Sequence, residues 1–165
     1  MSDAPPPASR NRTLLLVAIG VGGLLVCLGS IPVIGIVAAV AIPNFIAYQM
    51  KAERAEVPAN VAGIATAQLA YDAAFDTFIP VSSREEAEAE VRGGGREPRA
   101  WQGGGAWGTL GWQPAGPVRG AYWVEVVEGE LGVFGISDID NDGDFAEYRW
   151  STEGGTRQVT PNYVY

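Results

Sequence analysis

The chain has 165 residues, of which 47% are hydrophobic and 18% are charged, and its formal net charge at pH 7 is −8. Because histidine is absent, Ser-His-Asp and Cys-His catalysis and imidazole metal ligands are excluded. The one cysteine, Cys27, cannot form an internal disulfide. A negative chain without a basic cluster also predicts that nucleic acid is not a partner.

The apolar residues are concentrated near the start of the chain. Residues 1–12 are polar and rich in proline, and residues 14–42 then contain no charge. A helix of that length exceeds the roughly 30 Å hydrocarbon core of a bilayer, and the apolar core of a cleaved signal peptide is much shorter. Arg10 and Arg12 precede the run and favour a cytoplasmic N-terminus. We therefore predict a cytoplasmic leader over 1–12 and a membrane-spanning helix over 13–43, bent at Pro32 and Pro43.

The next segment, 44–76, is predicted to continue as an amphipathic helix outside the membrane. It opens with charged residues that we interpret as a charged turn at the membrane exit, and Pro58 adds a third bend. Apolar residues then recur at three- and four-residue spacing, which indicates one buried face. These residues are Val57, Val61, Ile64, Ala67, Tyr71 and Ala74.

The remaining chain reads as a loop region followed by a sheet. Residues 77–120 hold a predicted short helix at 84–92 and two glycine triplets that frame Trp101. After residue 120 the pattern has period two, which predicts strands at 122–127, 131–137, 145–151 and 157–160 joined by short turns. The predicted fold class is α+β, with a long bent helix packed on an antiparallel sheet of about four strands, residues 121–165 including the C-terminal tail.

Two groups of side chains could carry chemistry. Asp138, Asp140, Asp142 and Asp144 match the first half of a calcium loop, although Asn-Asp-Gly within them also favours a simple hairpin turn. The tryptophans are interpreted as core under the loop, with an aromatic binding platform as the alternative. No nucleophile–base pair, cofactor loop or metal cluster is visible, so we expect a protein that is not an enzyme and needs no cofactor, calcium being the one candidate.

Several stretches resemble the type IV pilin family. GIVAAVAIPNFIAYQMKAERAE (35–56) resembles the family's transmembrane-to-periplasm helix, and ATAQLAYDAAFDTF (65–78) its continuation. ISDIDNDGDFAEYRW and TPNYVY are similar to the Asp-rich turn and ending of acidic pilin-like proteins, so the likeness spans 32–165. It implies a structural subunit of a type IV pilus or secretion pseudopilus, with roles in adhesion, motility or secretion.

The resemblance also implies a place in the cell and partners. The helix would anchor in the bacterial inner membrane with a single pass, and the C-terminal domain would be periplasmic, or at the cell surface once assembled. Partners would be other pilin or pseudopilin subunits and the assembly machinery of the pilus or secretion system. The residues implied in helix assembly are Gly35, Ala38, Ala39, Ile42, Pro43 and Phe45.

One region departs from the family pattern. Aligned on 42–45, the family's prepilin peptidase site falls on 21–26, which reads VGGLLV. Gly22 and Gly23 are the candidate processing residues, and Val26 takes the position of the family glutamate. The alternative hypothesis is therefore a membrane-tethered, pilin-like binding module with an acidic periplasmic domain that does not polymerise.

Overall fold

The computed structural model describes residues 9–165, with the side chains of residues 9–11, Leu28 and Ile31 left out. Most of the predicted leader, residues 1–8, lies outside the described residues. The described chain forms four helices and then four strands: α1 (Ser9–Arg54), α2 (Glu56–Phe75), α3 (Arg84–Val91), α4 (Ala106–Leu110), β1 (Ala121–Val127), β2 (Glu130–Ser137), β3 (Ala146–Ser151) and β4 (Gly155–Gln158). The chain divides into two compact units, Met1–Ile46 and Ala47–Tyr165.

The first unit is helical from Ser9 onward. Its described large apolar side chains are exposed, with Leu14 62% and Phe45 61% accessible. Among the described residues, one helical stretch, Arg12–Phe75, is long and apolar enough to cross a membrane. α1 continues through Pro32 and Pro43. A proline inside a helix removes one hydrogen bond and kinks the helix at that point.

The helix is interrupted at Ala55, inside the second unit. The N–H of Ala55 bonds the carbonyl of Ala52, three residues back, at 3.3 Å. Pro58 explains the position of this break, because its nitrogen cannot donate to the carbonyl of Arg54 and its ring crowds that carbonyl. Pro58 then occupies the first turn of α2, where a missing N–H costs little.

One face of α2 is buried against the sheet. Val57, Val61 and Ile64 are fully buried. The fourth position on this face is Gln68, whose side-chain amide donates to the carbonyl of Ile79 at 2.6 Å and accepts from the N–H of Ile79 at 3.0 Å. Ala74, predicted on the same stripe, is exposed, since at 100° per residue it lies about 120° around the helix from the centre of the buried face.

The four strands form one antiparallel meander in the order β1-β2-β3-β4. Their bounds lie within two residues of the predicted ones. Glu128 and Gly129 join β1 to β2 with φ of 53° and 85°. Two successive left-handed residues match the right-handed twist of a tight hairpin. The α+β architecture expected from the sequence is therefore confirmed: an apolar N-terminal helix leads into a helix packed on a four-stranded sheet.

Each face of the sheet carries its own apolar cluster. Alternate residues Tyr122, Val124 and Val133 pack with α2, and their neighbours Trp123 and Ile136 pack with α3. We predicted only the layer formed by α2. The additional layer arises because a capping box at Ser83 and Glu86 starts α3, and Ala87 and Val91 then supply a small apolar face.

Gly135 in β2 sets the distance between α2 and the sheet. A Cβ atom there would lie 2.7 Å from Cγ2 of Val61 and 2.8 Å from Cγ1 of Val57. Any side chain would therefore push α2 away from β2. Glycine within a strand often marks such a close approach.

Candidate functional site

The residues implied in helix assembly all lie in α1. Gly35, Ala38, Ala39 and Ile42 follow the spacing i, i+3, i+4, i+7, which places them on one face of the helix. Ile42 and Phe45 are 57% and 61% exposed. Small residues on such a face let another helix approach closely in lipid.

The Asp-rich turn joins β2 to β3 and is organised around Asp138. Asp138 is 2% exposed, and its two carboxylate oxygens accept the N–H groups of Asp142 at 3.1 Å and Gly143 at 3.2 Å. Asn141 and Gly143 have φ of 58° and 91°. Left-handed residues and an aspartate bonded to the backbone ahead of it are the usual means of closing such a turn.

Three of the four aspartates predicted as metal ligands lie together. Carboxylate oxygens of Asp138, Asp140 and Asp142 are within 4.8 Å of one another. Asp144 lies outside this group, and its N–H bonds Oδ1 of Asp142 at 2.8 Å. Desolvation raises the pKa of Asp140, and the neighbouring carboxylates raise it further. A hard cation such as Ca²⁺ prefers six to eight oxygen ligands, and these three carboxylates could supply part of such a shell.

The charged residues at the end of α1 make contacts that were not predicted from the sequence. Arg54 is 4% exposed, and its guanidinium donates to the carbonyls of Asn162 and Val164. Its Cζ atom lies 5.1 Å from the centroid of the Tyr165 ring. Arg54, one of the residues interpreted as a charged turn at the membrane exit, is thus buried under the C-terminal tail.

Glu53 and Glu56 are likewise engaged within the second unit. A carboxylate oxygen of Glu56 accepts the N–H groups of Arg119 at 2.5 Å and Gly120 at 3.2 Å. Glu53 forms an ion pair with Arg96 at 3.1 Å. The end of α1 and the start of α2 are thus both bonded to the loop region, residues 77–120. The one sequence signal for these contacts was the density of charge around residue 54.

The tryptophans of the loop region form one cluster. Trp101, Trp107 and Trp112 are mutually in contact, with ring centroids 5.3–5.4 Å apart. They are half-buried against the α2 side of the sheet. A Cβ at Gly103 would lie 2.5 Å from Nε1 of Trp101, so glycine is required for this packing. The arrangement agrees with the interpretation of these residues as core under a loop.

Comparison with protein-family models, with curated proteins and with solved structures found no match to this chain. The architecture is consistent with a pilin-like fold. That likeness rests on the apolar N-terminal helix and the four-stranded antiparallel sheet.

The predicted processing residues are part of the exposed helix. Gly22 and Gly23 lie within α1, and a Cβ atom at either position would contact nothing within 4 Å. Val26, which the resemblance aligns with the family glutamate, is 71% exposed.

Proposed function

We propose that this protein is a structural subunit of a pilus-like or pseudopilus-like filament, anchored in the bacterial inner membrane and assembling through its N-terminal helix. The observation that carries the proposal is the exposure of the uncharged segment 14–42. All of its described large apolar side chains are exposed. Exposed apolar surface of this extent needs either lipid or protein to cover it.

Assembly follows from what can cover such a helix. Within the bilayer, lipid chains surround it. Outside the bilayer, the same helices of other copies can bury this apolar surface. A heterologous contact that repeats without closing into a ring gives a filament. The face formed by Gly35, Ala38, Ala39 and Ile42 is the surface we assign to this packing. Its small side chains permit a close approach.

The same proposal places the second unit outside the cytoplasm and without catalytic activity. Arg12 precedes the apolar segment, in keeping with a cytoplasmic N-terminus. The second unit would then be periplasmic, and its partners would be other subunits and the assembly machinery. No catalytic role is assigned to any of its residues.

A second candidate function is a tethered binding module that never polymerises. Val26 favours it, because pilins carry a glutamate at the corresponding position. Under this alternative, lipid covers the helix permanently, and the second unit binds its ligand as a monomer.

Cysteine crosslinking separates the two candidates. Cys27→Ser removes the one native thiol, and Ala39→Cys then places a thiol on the proposed packing face. In native membranes, a bifunctional maleimide should link Ala39→Cys chains into dimers and higher multimers. Val37→Cys, on another face of the same helix, is the matched control and should give fewer products. Monomers alone for both variants would support the tethered module.

The intact mass of the protein gives an independent measurement. A mass near 17.4 kDa, found only in membranes, would support the tethered module. A shorter chain that begins near Gly22 or Gly23 and occurs in sheared surface material would support processing and polymerisation. Val26→Glu should increase incorporation into sheared material if copies already assemble, and should change nothing if they do not.

A further inference from the structure

Two arginines on the α3 side of the sheet point to a contact between the second units of neighbouring copies. Arg149 in β3 and Arg157 in β4 are directly opposite each other in the strand register. Like charges in that position repel and destabilise the strand pair. A cross-strand arginine pair in a chain of net charge −8 therefore needs a physical explanation.

Among the described residues, neither arginine forms an ion pair. Among the described side chains of residues 47–165, the other arginines form ion pairs or, for Arg54, hydrogen bonds to carbonyl groups. Arg149 and Arg157 form neither. Glu130 and Glu153 line the same groove without forming an ion pair to them. Both guanidinium groups can therefore bind a carboxylate of another molecule.

Arg149 is held in place before any partner binds. Its Cζ atom lies 5.5 Å from the centroid of the Phe134 ring. Phe134 in turn stacks on Trp123, with centroids 4.9 Å apart and planes at 8°. A cation over a supported aromatic ring loses less freedom when it binds. The hydroxyl groups of Ser151 and Thr152 line the same groove and add neutral donors.

We propose that Arg149 and Arg157 bind the Asp-rich turn, residues 138–144, of a second copy of the chain. That turn is the complementary patch on the same molecule: Asp140, Asp142 and Asp144 are exposed and form no ion pair within the described residues. In an antiparallel meander, the 138–144 turn lies at one end of the sheet and the 152–154 turn at the other. Arg149 and Arg157 are each three residues from the latter turn, whereas Arg149 is five residues from Asp144.

Two patches at opposite ends of one unit produce a head-to-tail contact. Such a contact is heterologous and can propagate along a filament. This inference rests on the proposed function, because it names the contact that globular units would make once the helices assemble. Opposite charges would set the register of neighbouring units more than the strength of the assembly.

Disulfide trapping in the full chain tests the contact. In the Cys27→Ser background, one copy carries Asp144→Cys and a second, differently tagged copy carries Thr152→Cys, so that both arginines are retained. We expect a disulfide-linked heterodimer in native membranes. Val127→Cys, an exposed position on β1 at the same end of the sheet, replaces Thr152→Cys as the control and should give little product.

Charge reversal tests whether the arginines cause the contact. Replacing both with glutamate, Arg149→Glu with Arg157→Glu, should lower the disulfide yield roughly fivefold, the effect of losing two exposed ion pairs. Asp140→Arg with Asp142→Arg in the other copy should restore it. Glu153→Gln should raise the yield, because it removes a repelling carboxylate from the groove. If none of the three changes alters the disulfide yield, the inference is overturned.

The two crosslinking experiments separate a failure of this contact from a failure of the proposed helix packing. If Ala39→Cys crosslinks form while the heterodimer does not, this contact is wrong and the proposed function stands. If neither forms, both fail.

Discussion

The guanidinium of Arg54 stacks over the ring of Tyr165, with 5.1 Å between Cζ and the ring centroid. The N–H of Ile139 also donates to the carbonyl of Tyr165, at 2.9 Å. The C-terminal tail is therefore held between the end of α1 and the start of the Asp-rich turn. Since the tail bonds both regions, a change at Arg54 should loosen the second unit as a whole.

We expect Arg54→Ala to lower the free energy of unfolding by about 2–4 kcal/mol, because it removes buried, charge-assisted hydrogen bonds to the tail. Arg54→Lys should recover part of the loss, since an ammonium group cannot reproduce the planar fork. Urea unfolding of the detergent-solubilised full chain, followed by tryptophan fluorescence, measures both. Arg92→Ala is the control: its ion pair with Glu88 is exposed and should contribute less than about 1 kcal/mol. Equal losses at the two arginines would contradict the role of the tail contact.

Gly135→Ala should destabilise the second unit by about 1–3 kcal/mol, because its methyl group would overlap Val57 and Val61 of α2. Alanine has the better strand propensity, so propensity alone predicts the opposite sign. Thermal unfolding of the same detergent-solubilised chain measures the change. Gly108→Ala in α4 meets nothing within 4 Å and should be neutral or slightly stabilising. A neutral Gly135→Ala would mean that α2 can move away from β2 without loss.

The helices and strands that could be predicted from the sequence are those determined by residues close to one another in the chain. The uncharged run predicts the apolar helix, and alternation with period two predicts the strands. Ser83 followed by Glu86 is a local start signal for α3, and the predicted helix there differs from the observed one by one residue. What this signal could not reveal is the face of the sheet that α3 covers, because that depends on contacts with β1 and β2.

The missed features depend on residues far apart in the chain. Arg54 meets Asn162 across 108 positions, and no periodicity connects them. The close approach at Gly135 is set by α2, more than 70 residues earlier. The aspartates of the turn were found because a loop brings sequence neighbours together, whereas the exclusion of Asp144 from the carboxylate group follows from the backbone of Asn141 and Gly143.

Asp140→Asn should raise the thermal stability at pH 7 in calcium-free buffer. The folded-state pKa of Asp140 is raised, so its ionisation costs stability as the pH rises through that pKa. The amide avoids this loss, and its advantage should vanish at about pH 3, where the carboxyl is protonated in both states. Melting temperatures at the two pH values measure the effect. An advantage that persists at the acidic pH would contradict the electrostatic cause.

Calcium added to the same samples tests the turn as a metal site. Binding would raise the melting temperature of the native chain and raise that of Asp140→Asn less. Isothermal titration with millimolar calcium should then show heat for the native chain. No heat and no thermal shift would mean that the turn closes the hairpin and does not bind calcium.

Alkaline titration should show that Tyr122 and Tyr148 ionise above the ordinary tyrosine range. Burial raises the pKa of Tyr122, whose hydroxyl accepts a hydrogen bond from Asn60 at 2.8 Å, and it raises the pKa of Tyr148, although Arg54 opposes that shift. Both phenols favour the neutral form in the folded chain. Their contribution to stability is therefore complete below the ordinary tyrosine pKa of about 10 and is lost as the pH rises above it.

Absorbance at about 295 nm reports phenolate, so the ionisation of Tyr122 and Tyr148 should appear above the ordinary tyrosine pKa of about 10. Tyr122→Phe should make the free energy of unfolding fall less steeply between about pH 9 and pH 11, because one proton fewer is released on unfolding. Ionisation of Tyr122 and Tyr148 near pH 10 in a folded chain would contradict their burial, and with it the packing of α2 on the sheet.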